Sequence, residues 1–157
     1  MLFDSQTLMA GAIAADGTRS GQAITATAVS TNLIDTRQPN GGPTLVNLGL
    51  TGTPVYLVVQ ALAAFNNLTS LATTLESSAN TSLTSSTVHA TATTLLAGLT
   101  AGAIIAKIPL PLDNYQRYLG VRFTVTGTAP STGSVVAFLT LDPNVQPVYP
   151  SGFTVDA

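Results

Sequence analysis

Cysteine and tryptophan are absent from this chain, and formal charge is scarce: 5 Lys and Arg, 7 Asp and Glu and a single histidine among 157 residues. Without cysteine there are no disulfides and no thiolate metal sites, and the redox compartment is left open. The cations Arg19, Arg37, Lys107, Arg117 and Arg122 are scattered. No basic stripe exists to neutralise a phosphate backbone, so nucleic acid is not an expected partner. No apolar run reaches the ~18 residues of a membrane-spanning helix, and no membrane partner is expected either. The stretch MLFDSQTLMAGAIAA carries Asp4 and no Lys or Arg ahead of its apolar part, which argues against a signal peptide and for an intracellular product that keeps its first residues.

Charged residues make up 8% of the chain and hydrophobic ones 45%, whereas an ordinary soluble domain has about 25% charged residues. Between Gln38 and Ala106 the single formally charged side chain is Glu76. Much of the surface must therefore be Thr, Ser, Asn, Gly and Ala, and copies with a net charge of −2 repel one another little. Such a surface suits a protein that works in an assembly. The length fits one domain, 1–157, with a core of ordinary size.

Residues 1–22 read as an N-terminal arm. Leu2, Met9 and Ile13 fall at about helical spacing, but Gly11, Gly17 and Gly21 limit any helix to two or three turns, so the arm is expected to pack on something else. Beyond it, short runs rich in Val, Ile, Thr, Tyr and Phe alternate with Gly, Pro and Asn, the pattern of many short strands. Strands are expected at 24–35, 54–61, 68–77, 87–95, 103–110, 118–126 and 134–141, with 45–50 as an eighth. With no convincing helix between them, the fold class is all-β: an antiparallel β-sandwich or jelly roll of about eight strands over 23–142, followed by a C-terminal tail, 143–157. Residues 57–65, LVVQALAAF, fit a buried helix by periodicity, but the flanking TGTP and NN favour a strand.

Parity says which faces are buried. In 118–126 Leu119, Val121, Phe123 and Val125 share one face, and Tyr118, Gly120, Arg122, Thr124 and Thr126 share the other. In 134–141 both parities are apolar, Val135, Ala137, Leu139 and Leu141 on one and Val136 and Phe138 on the other, so that strand needs cover on both faces. In IPLPLDNYQRYLGVRF, residues 108–123, Pro109 and Pro111 suit a strand end or a sheet edge, with Ile108, Leu110 and Leu112 inward. Asp113 and Asn114 make the turn. Arg117 is expected to pair with a loop carbonyl or carboxylate.

Groups for catalysis are thin. The acids Asp4, Asp16, Asp35, Glu76, Asp113, Asp142 and Asp156 are spread singly, as turn-formers rather than a carboxylate pair. His89, in TVHAT, could be drawn into a Ser-His-Asp set with Ser85 or Ser86, but there is no GxSxG elbow and no second histidine for a metal. An ordinary strand-face histidine is the expected reading. No catalytic, cofactor-binding or metal-binding residues are expected. PNGGP precedes a strand and does not open a helix, so it is no phosphate loop. Without tryptophan and with four dispersed tyrosines, an aromatic carbohydrate platform is also weakly supported.

AITATAVSTNLID, VYLVVQ, IPLPLDNYQRYLGVRFTVTGT and GSVVAFLTLD, in this order and spacing, resemble the jelly-roll capsid cement, or decoration, proteins of short-tailed bacteriophages of the Bordetella podophage type. The resemblance covers about 22–142, with YPSGFTV near the end echoing some members, while GAIAADGTRSG looks inserted ahead of the first strand. It implies a virion protein on the outer surface of an HK97-type capsid, made in the host cytoplasm. Its implied partners are the phage major capsid protein and itself, as a homodimer or, second, a trimer.

Candidate interface residues follow from unbalanced apolar content at the two ends: Leu2, Phe3, Leu8 and Met9, and Val148, Tyr149, Phe153 and Val155. Phe138 joins them from the doubly apolar strand, and Tyr118 and Arg122 from an outward face, since Tyr and Arg are enriched at hot spots. A secreted fibre, adhesin or pilin-like subunit is the alternative, because it too would be Thr- and Ala-rich, strand-built and poor in charge.

Overall fold

Alternating apolar side chains and turn residues organise about half of the described backbone into antiparallel strands, with turns and irregular links between them. The computed structural model describes residues 6–37 and 54–143. Its elements are β1 (Leu8–Ala10), β2 (Ala12–Ile13), β3 (Arg19–Ser20), β4 (Gln22–Ala23), β5 (Ala28–Val29), β6 (Ile34–Asp35), β7 (Tyr56–Ala63), β8 (Leu68–Ser78), β9 (Thr87–Leu95), β10 (Ile104–Pro109), β11 (Tyr118–Gly127) and β12 (Ser134–Thr140). A single 3₁₀ turn, Leu96–Gly98, follows β9. The all-β expectation is met. The expected strand at 45–50 lies outside the described residues.

One sheet runs β1-β12-β7-β10, with β4 also on β12, and the other runs β5-β11-β8-β9, with β6 also on β11. β2 and β3 form a separate hairpin. The chain passes from one large sheet to the other between β7 and β8, returns after β9, and crosses again before and after β11. Side chains of both sheets meet in one core: Leu57, Val59, Ala61, Val135 and Ala137 from the first, and Leu71, Leu75, Leu119, Val121 and Phe123 from the second. All ten are buried. Face-to-face sheets with alternating inward residues make a sandwich.

The parity of β11 is as expected, and so is the double cover of β12. Val135, Ala137 and Leu139 enter the core, whereas Val136 and Phe138 join Leu8 and Val58 in a second cluster on the opposite face of the same sheet. The helical reading of the arm is corrected. Leu8–Ala10 adds to β12 as a strand, with Leu8 opposite Phe138 and Ala10 opposite Ala137. The glycines break a helix but permit strands with tight links, as at Gly11, whose φ of +94° a side-chain-bearing residue rarely adopts.

Two more expectations fail locally. Residues 24–35 do not form one strand; β5 and β6 are two residues each, joined through an irregular stretch in which Ser30 and Asn32 bond their neighbours. Leu112 and Leu141 are exposed rather than covered, because β10 ends at Pro109 and β12 at Thr140 and parity has no meaning past a strand's end. The 57–65 stretch is a strand as favoured, ending at Ala63.

Candidate functional site: a serine, histidine and aspartate relay

The loop between β10 and β11 closes one end of the sandwich, and three side chains from different elements meet beneath it. β8 places Ser77 opposite Leu119 of β11, on the core-facing parity. β9 carries a bulge there: Leu75 pairs with Ala90 but Glu76 pairs with Val88, so His89 is the extra residue. A bulge re-aims the side chain it carries. His89 turns inward, with its side chain fully covered.

His89 Nε2 lies 2.7 Å from Ser77 Oγ, and its Nδ1 lies 2.7 Å from Asp113 Oδ2 in the β10–β11 loop. The His89 bond, followed by the Asn114 backbone N–H, holds the Asp113 carboxyl below the usual carboxylate range. An ionised carboxylate only accepts, so Nδ1 carries a proton. The Gln116 backbone N–H donates to Ser77 Oγ at 2.9 Å, and the Gln116 side-chain amide donates to Thr87 Oγ1. Tyr115 covers the imidazole, with ring centroids 4.3 Å apart, and its hydroxyl donates to the Pro111 carbonyl at 2.6 Å. Burial, with the Asp113 charge adding to it, pushes the Tyr115 phenol up to about 12.

Serine, histidine and aspartate in this order form the hydrogen-bond chain of a nucleophilic triad. Accessibility separates it from a working one. Ser77 is fully buried and its oxygen already accepts the Gln116 N–H, so in this fold no acyl carbon can approach it. The relay instead fastens the loop: Asp113, Tyr115 and Gln116 are each tied down from it, and Asp113 alone of the three relay residues reaches the surface, at 47% side-chain exposure. On an unbroken strand His89 would share the exposed face of Thr87 and Thr91, the ordinary strand-face position expected from TVHAT. The bulge corrects this, and Ser77 and Asp113, 12 and 24 residues away, carry no local signal that names them.

A second polar cluster sits on the outer face of the same sheet. Arg122 Nε is 2.9 Å and 3.0 Å from the two oxygens of Glu76, and its Nη2 donates to the Leu83 carbonyl. Ser86 and Thr74 hydroxyls also donate to Glu76. Burial works against ionising Glu76, but the bonds from Arg122, Ser86 and Thr74 outweigh it and hold the carboxyl below its ordinary value. At the mouth of β11, Arg117 grips Asp35 with Nε and Nη2, meeting the expectation of a carboxylate partner. The Arg117 guanidinium also lies over the Tyr118 ring, 4.8 Å from its centroid.

The structure therefore redistributes the candidate interface residues. Met9 is in the core and Leu8 and Phe138 are in the second cluster, all internal, because β1 spends its apolar side chains on the chain's own sheet. Arg122 is committed to Glu76 and Leu83, and Tyr118 has one ring face under Arg117. Leu2, Phe3, Val148, Tyr149, Phe153 and Val155 lie outside the described residues. Among the described residues no cluster of three or more His, Asp or Glu could hold a metal ion, and no helix is long and apolar enough to cross a membrane.

Residues 18–139 match the sequence profile of a family described as Bbp16. The chain belongs to the Bbp16 family. The match begins in the β2–β3 hairpin and ends within β12, so it takes in the relay, the Glu76–Arg122 cluster and the sandwich apart from β1. No curated protein sequence matches the chain.

Proposed function

We propose that this Bbp16-family protein is a structural component of a bacteriophage particle: a capsid cement, or decoration, protein on the outer surface of an HK97-type shell. In that role it binds the phage major capsid protein and stabilises contacts between capsomers. The observation that carries the reading is the family match over 18–139, whose name points to a Bordetella phage protein, on a sandwich with so little surface charge. The relay agrees with it, since an assembly component gains from a loop locked to the sandwich and has no use for an accessible nucleophile. Many modest contacts repeated around a closed shell add through effective concentration. The reading includes no catalytic step and no cofactor.

Purified protein mixed with shells lacking it should cosediment with them and saturate at a fixed number of copies per shell. Absence from the pellet at every concentration rejects the proposal. Removing residues 2–15 is a poor probe of docking, because it takes β1 from the sheet along with the apolar end. Replacing Leu2 and Phe3 by Ser leaves the residues of β1 unaltered and is expected to weaken shell binding.

A further inference from the structure

Scattered exposed leucines are ordinary on a protein surface, but one here is held in place. Leu112 is 71% exposed, more than any other large hydrophobic side chain among the described residues. It sits between two residues that are each fixed from the interior. Before it, the Pro111 carbonyl accepts the hydroxyl of the buried Tyr115 at 2.6 Å. After it, Asp113 Oδ2 lies 2.7 Å from His89 Nδ1 and Oδ1 accepts the Asn114 backbone N–H. The ring of Pro111 fixes one more backbone angle beside it. A loop held by a fully covered histidine, a buried serine and a buried tyrosine thus presents at its tip an apolar side chain that the core does not use.

Strand register places this loop at one end of the sandwich. The starts of β1 and β7 and the ends of β10 and β12 lie at that end of the first sheet, and the starts of β9 and β11 and the ends of β6 and β8 at that end of the second. Gln6, Arg37, Pro54 and Pro143, at which the described stretches start and stop, all adjoin it. The candidate interface residues Leu2 and Phe3, and those within 148–155, are therefore joined to the sandwich here. Val88 and Leu141 add exposed apolar surface to the same end, whereas Leu95 and Ile104 lie at the far one.

We propose that this end of the sandwich is the face that meets the capsid, with Leu112 as its anchor: the side chain enters an apolar recess of the major capsid protein, and Asp113 beside it accepts an N–H from the rim of that recess. This rests on the capsid reading above and adds to it the face, the anchor and the use of the relay. Charge and shape both select a protein recess as the occupant. Asp113 keeps 47% of its side chain exposed next to Leu112, where an ionised carboxylate repels a nucleic-acid backbone or an anionic lipid surface. One leucine among polar loop residues fits a recess of its own size and not the broad apolar face that lies in a membrane. Because both outer stretches join at this end, anchor and arms can engage one partner together. Tyr115 and the relay act as positioning residues, since an anchor already fixed loses little freedom on docking.

Cosedimentation of the full chain with shells lacking it tests this, at a temperature where every variant is folded. Leu112→Ser should raise the dissociation constant for shells about tenfold, and Leu95→Ser, similarly exposed at the far end, should leave it at the parent value. Tyr115→Phe removes the hydroxyl that holds the Pro111 carbonyl but keeps the ring over His89, and should weaken binding severalfold by loosening Leu112. Added to Leu112→Ser, Tyr115→Phe should cost no further binding, a coupling that a merely structural tyrosine would not show. A parent protein that never pellets removes the capsid reading and this one with it. A parent that pellets overturns this proposal alone if Leu112→Ser binds as tightly, if Leu95→Ser is weakened as much as Leu112→Ser, or if the Tyr115 and Leu112 losses add.

Discussion

His89 Nδ1 and Asp113 Oδ2 stand 2.7 Å apart, and that bond ties a bulged edge strand to the loop entering β11. It has a direct consequence in acid. The Asp113 carboxyl titrates lower in the folded chain, chiefly through the His89 bond, so its contribution is present above the unfolded value near ~3.9 and is lost as pH falls through the folded one. Asp16, held mainly by the Thr18 backbone N–H, and Asp35, held mainly by Arg117, act in the same direction. Asp113→Asn should therefore lower the unfolding temperature near neutrality and narrow its gap to the parent below about pH 4. Thermal unfolding at a series of pH values reads this. A gap independent of pH would separate the loop's stability from this carboxylate.

Ser77 is predicted to be inert toward serine-directed fluorophosphonates in the folded protein, because its oxygen is buried and already accepts the Gln116 N–H. Intact-mass measurement after incubation with the reagent should show no adduct, and a stoichiometric adduct on Ser77 would return the triad to catalysis. Ser77→Ala should cost about 1–3 kcal/mol in urea unfolding, the penalty for a buried backbone donor left without its acceptor.

The long strands were legible because each has its period written in its own residues. In β11 Leu119, Val121 and Phe123 alternate with polar partners, and in β12 the double apolar pattern announced cover on both faces, which the core and the Leu8–Phe138 cluster supply. Elements held by non-local bonds were not legible. β5 and β6 owe their places to β11, some ninety residues away, so that the break of 24–35 into two short pieces is not written in its own residues, and β1 owes its place to β12, its own stretch showing only glycine spacing and a few aliphatics. The relay was hidden for the same reason. A bulge is a mismatch between two strands, and no property of TVHAT alone tells that Glu76 pairs with Val88 and passes over His89. Glu76 and Arg122 were visible as rare charges, but their pairing depends on the β8–β11 register, in which Arg122 stands opposite Thr74.

That pair yields the sharpest mutational prediction. Glu76 keeps 4% of its side-chain exposure and Arg122 keeps 31%, so the carboxylate is the desolvated member and the guanidinium is partly wet. Removing one partner of a buried pair costs about 3–5 kcal/mol when the other charge is stranded in the interior. Glu76→Ala strands Arg122, which retains the Leu83 carbonyl and some water, so the loss should be at or below the lower end, about 2–3 kcal/mol. Arg122→Met strands the deeper charge and should cost more, shared only by the Ser86 and Thr74 hydroxyls. Replacing both residues by Met removes the charges together. Thr74 then still has the Arg122 backbone carbonyl as acceptor, and apolar side chains of similar length fill the site. The double variant should recover most of the Arg122→Met loss in urea unfolding. Additive losses would mean that the two residues stabilise the sheet independently, through packing of their stems against β8 and β11 and not through the ion pair.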